Sequence, residues 1–154
     1  MSKVKFNIKD NVRHNSILKK TASRICSTQV LYGASFVESE IDLLIKSYLE
    51  NYLPGFLIEL GIKKIDTDLF NSITKGVCRN KLSIDDIISR HLSKNWSFNR
   101  LSETEKSVLR LATYELLFDK RFKKNTIINE YISIIESFGG NPNFANGILE
   151  NISK

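Results

Sequence analysis

The feature that most limits the possible folds is a helical repeat of apolar residues along almost the whole chain. Apolar side chains recur every three or four residues, and the alternation that marks β-strands is nearly absent. The repeat predicts seven helices, at about 16–35, 38–53, 126–138 and 142–152, with three more starting at 66, 83 and 102. Connections are short, and no low-complexity segment or linker interrupts them. The sequence therefore predicts an all-α fold in a single domain spanning 1–154.

Local signals predict where several helices start and stop. Pro54 and Gly55 are predicted to end the second helix. Asp66 is a predicted N-cap of the third. The patterns "SIDD", from Ser83, and "SETE", from Ser102, predict capping boxes for the fourth and fifth.

The end of the chain has the clearest stop and start. Gly139-Gly140 is predicted to stop the sixth helix, Asn141 to cap the seventh, and Pro142 to occupy its first position. Gly147 falls in the middle of that last helix, where it predicts close packing against a neighbour, so that Gly147→Leu would destabilise the fold. Gly76, on the apolar stripe of the third helix, similarly predicts a close helix crossing.

The net charge of +6 is concentrated at the N-terminus. Residues 1–24 contain one acid, Asp10, and seven basic residues, whereas the remaining 130 residues have 16 basic and 16 acidic groups. The seven are Lys3, Lys5, Lys9, Arg13, Lys19, Lys20 and Arg24. This asymmetry favours a polyanionic partner, nucleic acid before membrane, with a basic arm at about 1–15. The alternative is a solvated tail that aids solubility.

Residues for catalysis or metal binding are few. The two histidines, His14 and His91, lie in the basic arm and on a helix, and the sequence contains none of the common metalloprotease, hydrolase, dinucleotide or phosphate-loop motifs. Cys26 and Cys78 are far apart and are interpreted as free thiols of a reducing cytoplasm. The chain also lacks an apolar run of membrane-spanning length. The sequence therefore predicts no enzyme, metal or cofactor.

The order of several short motifs points to a known family. The chain contains "SRICSTQVLYG", "ITKGV", "RLSETEKSVLRLATYELL", "IINEYISIIESFG" and "FANGIL" in succession. Over about residues 17–149 it resembles the bacterial transcription antitermination factors of the NusB family. The resemblance implies seven helices in two small packed bundles. It also implies a cytoplasmic RNA-binding factor that recognises boxA in nascent ribosomal RNA with NusE, a small-subunit ribosomal protein. This assembly joins the RNA polymerase elongation complex with other Nus factors.

The resemblance also assigns roles to individual residues. The family's arginine-rich segment falls on "KKTASR", which implies RNA binding by Lys19, Lys20 and Arg24. Thr21 and Ala22 depart from that pattern, and the basic residues of the N-terminal arm are a hypothetical compensation.

The other assigned positions lie further along the chain. Gln29, Tyr32 and Phe144 match family positions that lie near RNA. These residue types suit that role, since aromatic faces can stack on bases and amides can bond their edges. Glu105 matches an acid facing the NusE partner, although its capping-box role is an equal alternative.

Polar residues within apolar helices need a separate explanation, because buried polar groups require partners. We interpret five of them as a structural network that fixes the C-terminal half, in preference to direct RNA contacts. These residues are Arg110, Glu115, Asn129, Glu130 and Asn146. A second basic run in the loop after the fifth helix, "KRFKK", is interpreted as solvated surface.

Two other functions stay open. One is a stand-alone NusB-like module related to the N-terminal domain of ribosomal RNA methyltransferases. It is disfavoured because the chain ends after the last helix without a methyl-donor domain. The other is a helical protein-interaction module with an incidental basic arm, which predicts no salt-sensitive RNA binding.

Overall fold

The computed structural model describes the backbone of residues 8–154 and the side chains from Leu18 onward. Eight α-helices occupy this part: α1 (Ile8–Ala34), α2 (Ile41–Asn51), α3 (Leu53–Leu60), α4 (Thr67–Arg79), α5 (Lys81–His91), α6 (Glu103–Tyr114), α7 (Lys124–Ser137) and α8 (Pro142–Ile152). A 3₁₀ turn, Phe98–Arg100, precedes α6, and a π-helical turn, Glu115–Asp119, follows it. Residues 8–154 contain no strand, which confirms the all-α prediction. The predicted basic arm, at about 1–15, lies outside the described side chains.

Two apolar cores divide the helices, as expected for two small bundles. The smaller core lies among α1, α2, α3 and the start of α4, and includes Cys26, Tyr48 and Phe70. The larger core is built by α4 to α8 together with Leu31 of α1. Helix α1 contributes to both cores and packs mainly against α4 and α6. It therefore connects the two bundles.

The extra helix arises at Pro54, where the sequence predicted an end. Helix α2 already ends at Asn51, and Pro54 lies in the first turn of α3. A proline is tolerated there because the first backbone N–H groups of a helix have no acceptor within it. Helix α3 ends instead at Gly61, whose φ of 69° is left-handed. The prediction of seven helices was therefore one short.

Three of the predicted helix starts are confirmed. The Asp66 carboxylate accepts from the backbone N–H of Leu69 at 3.0 Å. Ser102 and Glu105 form both bonds of a capping box. Asn141 caps α8, and its side chain accepts two backbone N–H groups.

The capping box predicted at Ser83 is wrong. Helix α5 already begins at Lys81, so Ser83 lies inside its first turn. Only Asn80 separates α4 from α5, and its carbonyl accepts the Ile84 N–H at 2.9 Å. The helical bonding therefore starts before Ser83 could cap it.

The two glycine predictions have opposite outcomes. A Cβ built on Gly76 would lie 2.1 Å from the Tyr114 ring, so α4 and α6 cross as closely there as predicted. A Cβ on Gly147 would meet nothing within 4 Å. The close packing predicted at Gly147 is therefore wrong, because that position of α8 faces open space.

Candidate nucleic-acid interface

A groove between α1 and α7, which we call the α1–α7 groove, begins at Lys20. Its volume is about 390 Å³. Besides Lys20 it is lined by Arg24, Phe122, Thr126, Asn129, Glu130 and Ser133. A lysine, an aromatic ring, an amide, two hydroxyl groups and the Glu130 carboxylate therefore lie together in one groove. This set of groups can contact the phosphates, riboses and base edges of a nucleic acid.

The two lysines of α1 also border a second depression. Lys19 and Lys20 line it together with Lys64, Asp66 and Asp68. The two aspartates oppose the entry of a polyanion, whereas the one carboxylate of the α1–α7 groove, Glu130, is already bonded to Arg24 and Thr21. The α1–α7 groove is therefore the better candidate.

Arg24 does not have the surface position expected of a phosphate ligand. Its guanidinium is 1% exposed and holds Glu115 by two bonds, of 2.8 and 3.0 Å. A third bond, from Nη1, reaches Glu130 at 3.0 Å. The guanidinium also lies 4.9 Å from the centre of the Phe122 ring. Because both carboxylates and the ring surround this cation, it acts inside the protein rather than on the RNA.

Tyr131 and Thr21 complete a buried network around Arg24. The Tyr131 hydroxyl donates a short hydrogen bond to Glu115, and Thr21 donates to Glu130 at 2.8 Å. Burial and the charge of Glu115 raise the pKa of Tyr131 well above its ordinary value. Burial opposes the charge on Arg24, yet the hydrogen bond and charge of Glu115 outweigh it and raise the pKa of Arg24. Thr21, which departs from the family's basic pattern, thus has a partner within the fold.

The predicted polar network is only partly assembled in the structure. Glu115 and Glu130 belong to it, whereas Arg110 pairs with Asp85 at 2.7 Å. Asn129 and Asn146 are exposed. Each neighbours a residue that faces the interior, and successive residues of a helix point about 100° apart. The helical period therefore turns both amides outward.

The predicted RNA residues Gln29 and Tyr32 lie further along α1. Nine residues separate Lys20 from Gln29, which corresponds to about 14 Å along a helix. The Gln29 side-chain oxygen accepts the Tyr48 hydroxyl, which leaves the NH₂ group as a donor. Tyr32 is 44% exposed and lies edge-on to Phe36. Both residues line a depression of about 220 Å³, separate from the α1–α7 groove.

Phe144 occupies a third place, in the first turn of α8. Its ring packs against Trp96 with 5.4 Å between the ring centres. The structure therefore spreads the predicted RNA residues over several depressions, and none of these contains them all.

Glu105 has a clear local role. Its side chain accepts the backbone N–H of Ser102 at 3.2 Å, and its own N–H donates to the Ser102 hydroxyl at 3.1 Å. The carboxylate is half-buried at the start of α6. A contact with NusE stays a prediction.

The sequence analysis missed Phe122. It is the aromatic residue in "KRFKK", and its ring covers the Arg24 guanidinium, whereas Arg121 pairs with Asp119 and Lys124 with Glu150. A single aromatic residue among four cations was the available signal. Among residues 18–154, no cluster of His, Cys, Asp or Glu side chains could hold a metal ion. Within the described chain, no helix is long and apolar enough to cross a membrane.

Comparison with known proteins gives consistent results. The model of the NusB family matches residues 21–154. A transcription antitermination protein NusB from Clostridium botulinum is 32% identical over 89% of this chain and 99% of its own length. A solved structure of T. maritima NusB has a TM-score of 0.69 and 32% identity, covering 86% of this chain and 89% of that one. A crystal structure of the antitermination factors NusB and NusE in complex with dsRNA has a TM-score of 0.70, covering 86% and 94%; at 24% identity it shows the shared fold. This chain belongs to the NusB family.

Proposed function

We propose that this chain is a non-enzymatic RNA-binding factor in transcription antitermination. It acts in the cytoplasm with a NusE-type ribosomal protein, on a boxA-type element of nascent ribosomal RNA. The resulting complex joins elongating RNA polymerase and other Nus factors. The full-length relatives named transcription antitermination protein NusB support this proposal, as does a similar fold solved with NusE and RNA.

The observation that carries RNA binding is the composition of the α1–α7 groove. Lys20 stands at its edge, while Phe122, Thr126, Asn129 and Ser133 supply a ring, two hydroxyl groups and an amide. These groups fit a single strand, whose phosphates need cations and whose unstacked bases need faces and edges.

We infer a path for the strand from these separate depressions. It starts at Lys19 and Lys20, continues along α1 to Gln29 and Tyr32, where the helix is next exposed, and ends at Phe144. The first two places lie about 14 Å apart along α1, so a strand that contacts both must span more than one nucleotide. Glu105 at the start of α6 is the proposed contact for the NusE-type partner.

Fluorescence anisotropy with a labelled boxA-like RNA and a scrambled control tests the proposal. We expect preferential binding of the boxA-like RNA, strengthened by NusE. The variant Lys19→Glu/Lys20→Glu should weaken it and reduce the salt slope by roughly 0.7 for each lost phosphate contact. The control Lys46→Glu/Lys81→Glu reverses two exposed lysines of α2 and α5, and so changes the net charge equally.

The control variant separates a site from a general charge effect. If both double variants lost affinity equally, the α1 lysines would not be part of a specific site. Equal weak binding of both RNAs, unaffected by NusE, would instead favour a helical protein-interaction module.

A further inference from the structure

Phe144, the last point of the proposed strand path, borders a depression between α8 and the loop after α5. We call it the Trp96 slot. Its volume is about 250 Å³, and its lining includes His91, Trp96, Asn143, Phe144, Gly147 and Asn151. It is open to solvent on the C-terminal bundle.

Helix α8 builds one wall of the slot from an unusual stripe. Asn143, Gly147 and Asn151 are spaced four residues apart and therefore lie on the same face of the helix. An interior glycine destabilises a helix relative to alanine, and Gly147 allows no close packing in return, since a Cβ there would meet nothing within 4 Å. Its lack of a side chain instead keeps the space between the two amides open.

The opposite side of the slot is aromatic. The Trp96 ring is 48% exposed and rests against Phe144, tilted by 39°. The contact with Phe144 restrains the indole on one side, while about half of its surface stays accessible to a ligand. Trp and Phe rings at the edge of a groove stack readily on nucleobases.

The slot also offers hydrogen bonds at its rim. The amides of Asn143 and Asn151 each provide donors and an acceptor. The His91 ring is fixed because its Nδ1 lies 2.7 Å from the Ile87 carbonyl, to which it donates. The Nε2 atom is then the ring nitrogen left as an acceptor for a ligand. A flat ligand with polar edges can therefore stack on Trp96 and form hydrogen bonds at the rim.

The charge around the slot favours an anionic ligand, such as a nucleic acid, over a positively charged one. Three basic side chains lie in the segment from α5 to the 3₁₀ turn, and one of them, Arg90, pairs with Asp86 at 3.1 Å. The other two, Lys94 and Arg100, are exposed. The nearest acid on α8, Glu150, pairs with Lys124 of α7 at 3.2 Å.

From these observations we propose that the Trp96 slot binds one unstacked base of the RNA, with its face on Trp96 and its edge at Asn143 and Asn151. The proposal rests on the RNA-binding function proposed above. It adds Trp96, Gly147 and the two amides to the interface, and gives the interior glycine of α8 a role.

Trp96 makes the proposal directly testable, because it is the one tryptophan in the chain. Its fluorescence should be quenched when a boxA-like single-stranded RNA binds, whereas the anisotropy of the same labelled RNA reports total binding. One abasic nucleotide at the position that occupies the slot should abolish most of the quenching. The abasic strand keeps its phosphates, so the main electrostatic contribution is unchanged.

Gly147→Leu should fill the slot without disturbing the core. We expect it to weaken RNA binding by roughly 5- to 150-fold, the equivalent of about 1–3 kcal/mol for one stacked base. The matched control is Gly55→Leu in α3, where a Cβ also meets nothing within 4 Å. Thermal unfolding of both variants should remain cooperative, and Gly55→Leu should bind RNA like the original chain.

The possible results separate this proposal from the proposed function. If RNA binds but neither quenches Trp96 nor responds to Gly147→Leu, the slot proposal is overturned and RNA binding stands. If no RNA binds in the anisotropy experiment, the proposed function fails and the slot proposal with it. Quenching by NusE alone, with none added by RNA, would assign the slot to the protein partner and overturn base binding.

Discussion

Arg24 shows how one residue can look like part of a binding site and instead support the fold beneath it. A basic residue in a basic segment favours a phosphate contact, but its guanidinium is held by Glu115 and Glu130 in the interior. A buried pair of this kind stabilises little compared with apolar residues of equal volume. Removing one partner, however, leaves an uncompensated charge. Arg24 therefore controls the position of α1 relative to α7, and with it the shape of the α1–α7 groove.

The first prediction follows from this asymmetry. Arg24→Met should lower the free energy of unfolding by about 3–5 kcal/mol, because Glu115 is left buried without its cation. Arg24→Met/Glu115→Leu should recover much of that loss, since the buried charge is removed as well. Urea unfolding followed by circular dichroism measures both. If Arg24→Met unfolded at the urea concentration of the original chain, the guanidinium would not be as enclosed as its 1% exposure indicates.

The second prediction compares two helix glycines. Gly147→Ala should stabilise the protein by about 0.5–1 kcal/mol, because alanine favours a helix and the new methyl group meets open space. Gly76→Ala should destabilise it by about 1–3 kcal/mol, because the methyl group would overlap the Tyr114 ring. Thermal unfolding of the two variants should shift in opposite directions. Shifts of the same sign would contradict the contacts described for one of them.

At the scale of the helices, the start of α6 combines two roles in one residue. Ser102 and Glu105 form a capping box there, and the family resemblance also assigns Glu105 to the partner surface. A capping box accepts Gln in place of Glu, since the side-chain oxygen and not the charge is required. The two roles can therefore be separated by a substitution that preserves shape.

The third prediction uses this substitution. Glu105→Gln should leave thermal unfolding nearly unchanged but weaken the binding of NusE, measured by calorimetry. Ser102→Ala, the complementary variant, should lower the free energy of unfolding by about 1 kcal/mol through loss of the cap. If Glu105→Gln affected neither quantity, Glu105 would have a capping role alone.

Helix boundaries show which elements the sequence could predict. Asp66, Ser102 and Asn141 were predicted correctly as caps because each forms its bond with a residue two or three positions ahead. The capping box predicted at Ser83 was wrong because one residue separates α4 from α5, so α5 starts earlier than predicted. The helix end predicted at Pro54 was wrong because a proline is compatible both with the end of one helix and with the first turn of the next.

The candidate site was harder to predict than the helices. Asn129 and Glu130 are neighbours in sequence and both line the groove, yet Glu130 alone also bonds to Arg24 and Thr21 of the network. The rotation of α7 about its axis, relative to α1, decides which of its residues reach the network. That rotation depends on contacts between residues more than a hundred positions apart, such as Thr21 and Glu130. Phe122 was missed for the same reason, because its partner Arg24 is distant in sequence.

For the whole molecule, the two cores share α1, so groups buried in either core should affect one unfolding transition. Cys26 and Tyr48 belong to the smaller core, and Tyr131 to the larger. Burial raises the pKa of Cys26 to about 11, and it also raises the pKa of Tyr48 and of Tyr131. Each group is neutral when protonated, so the folded state retains protons that the unfolded chain releases.

The last prediction is the direction of the alkaline pH dependence. Below the ordinary pKa of a thiol, about 8.5, both states hold these protons and the stability is fully present. Between that value and the folded pKa of Cys26, about 11, the unfolded chain binds fewer protons, so the free energy of unfolding falls as the pH rises. The limiting slope is about 1.4 kcal/mol per pH unit for each group, and the tyrosines add theirs above about pH 10. Urea unfolding at a series of alkaline pH values measures this slope. Cys26→Ala should reduce the slope of the free energy of unfolding between about pH 8.5 and 10 and leave the tyrosine contribution above about pH 10 intact. A slope unaffected by that substitution would show that Cys26 is not shielded in the smaller core.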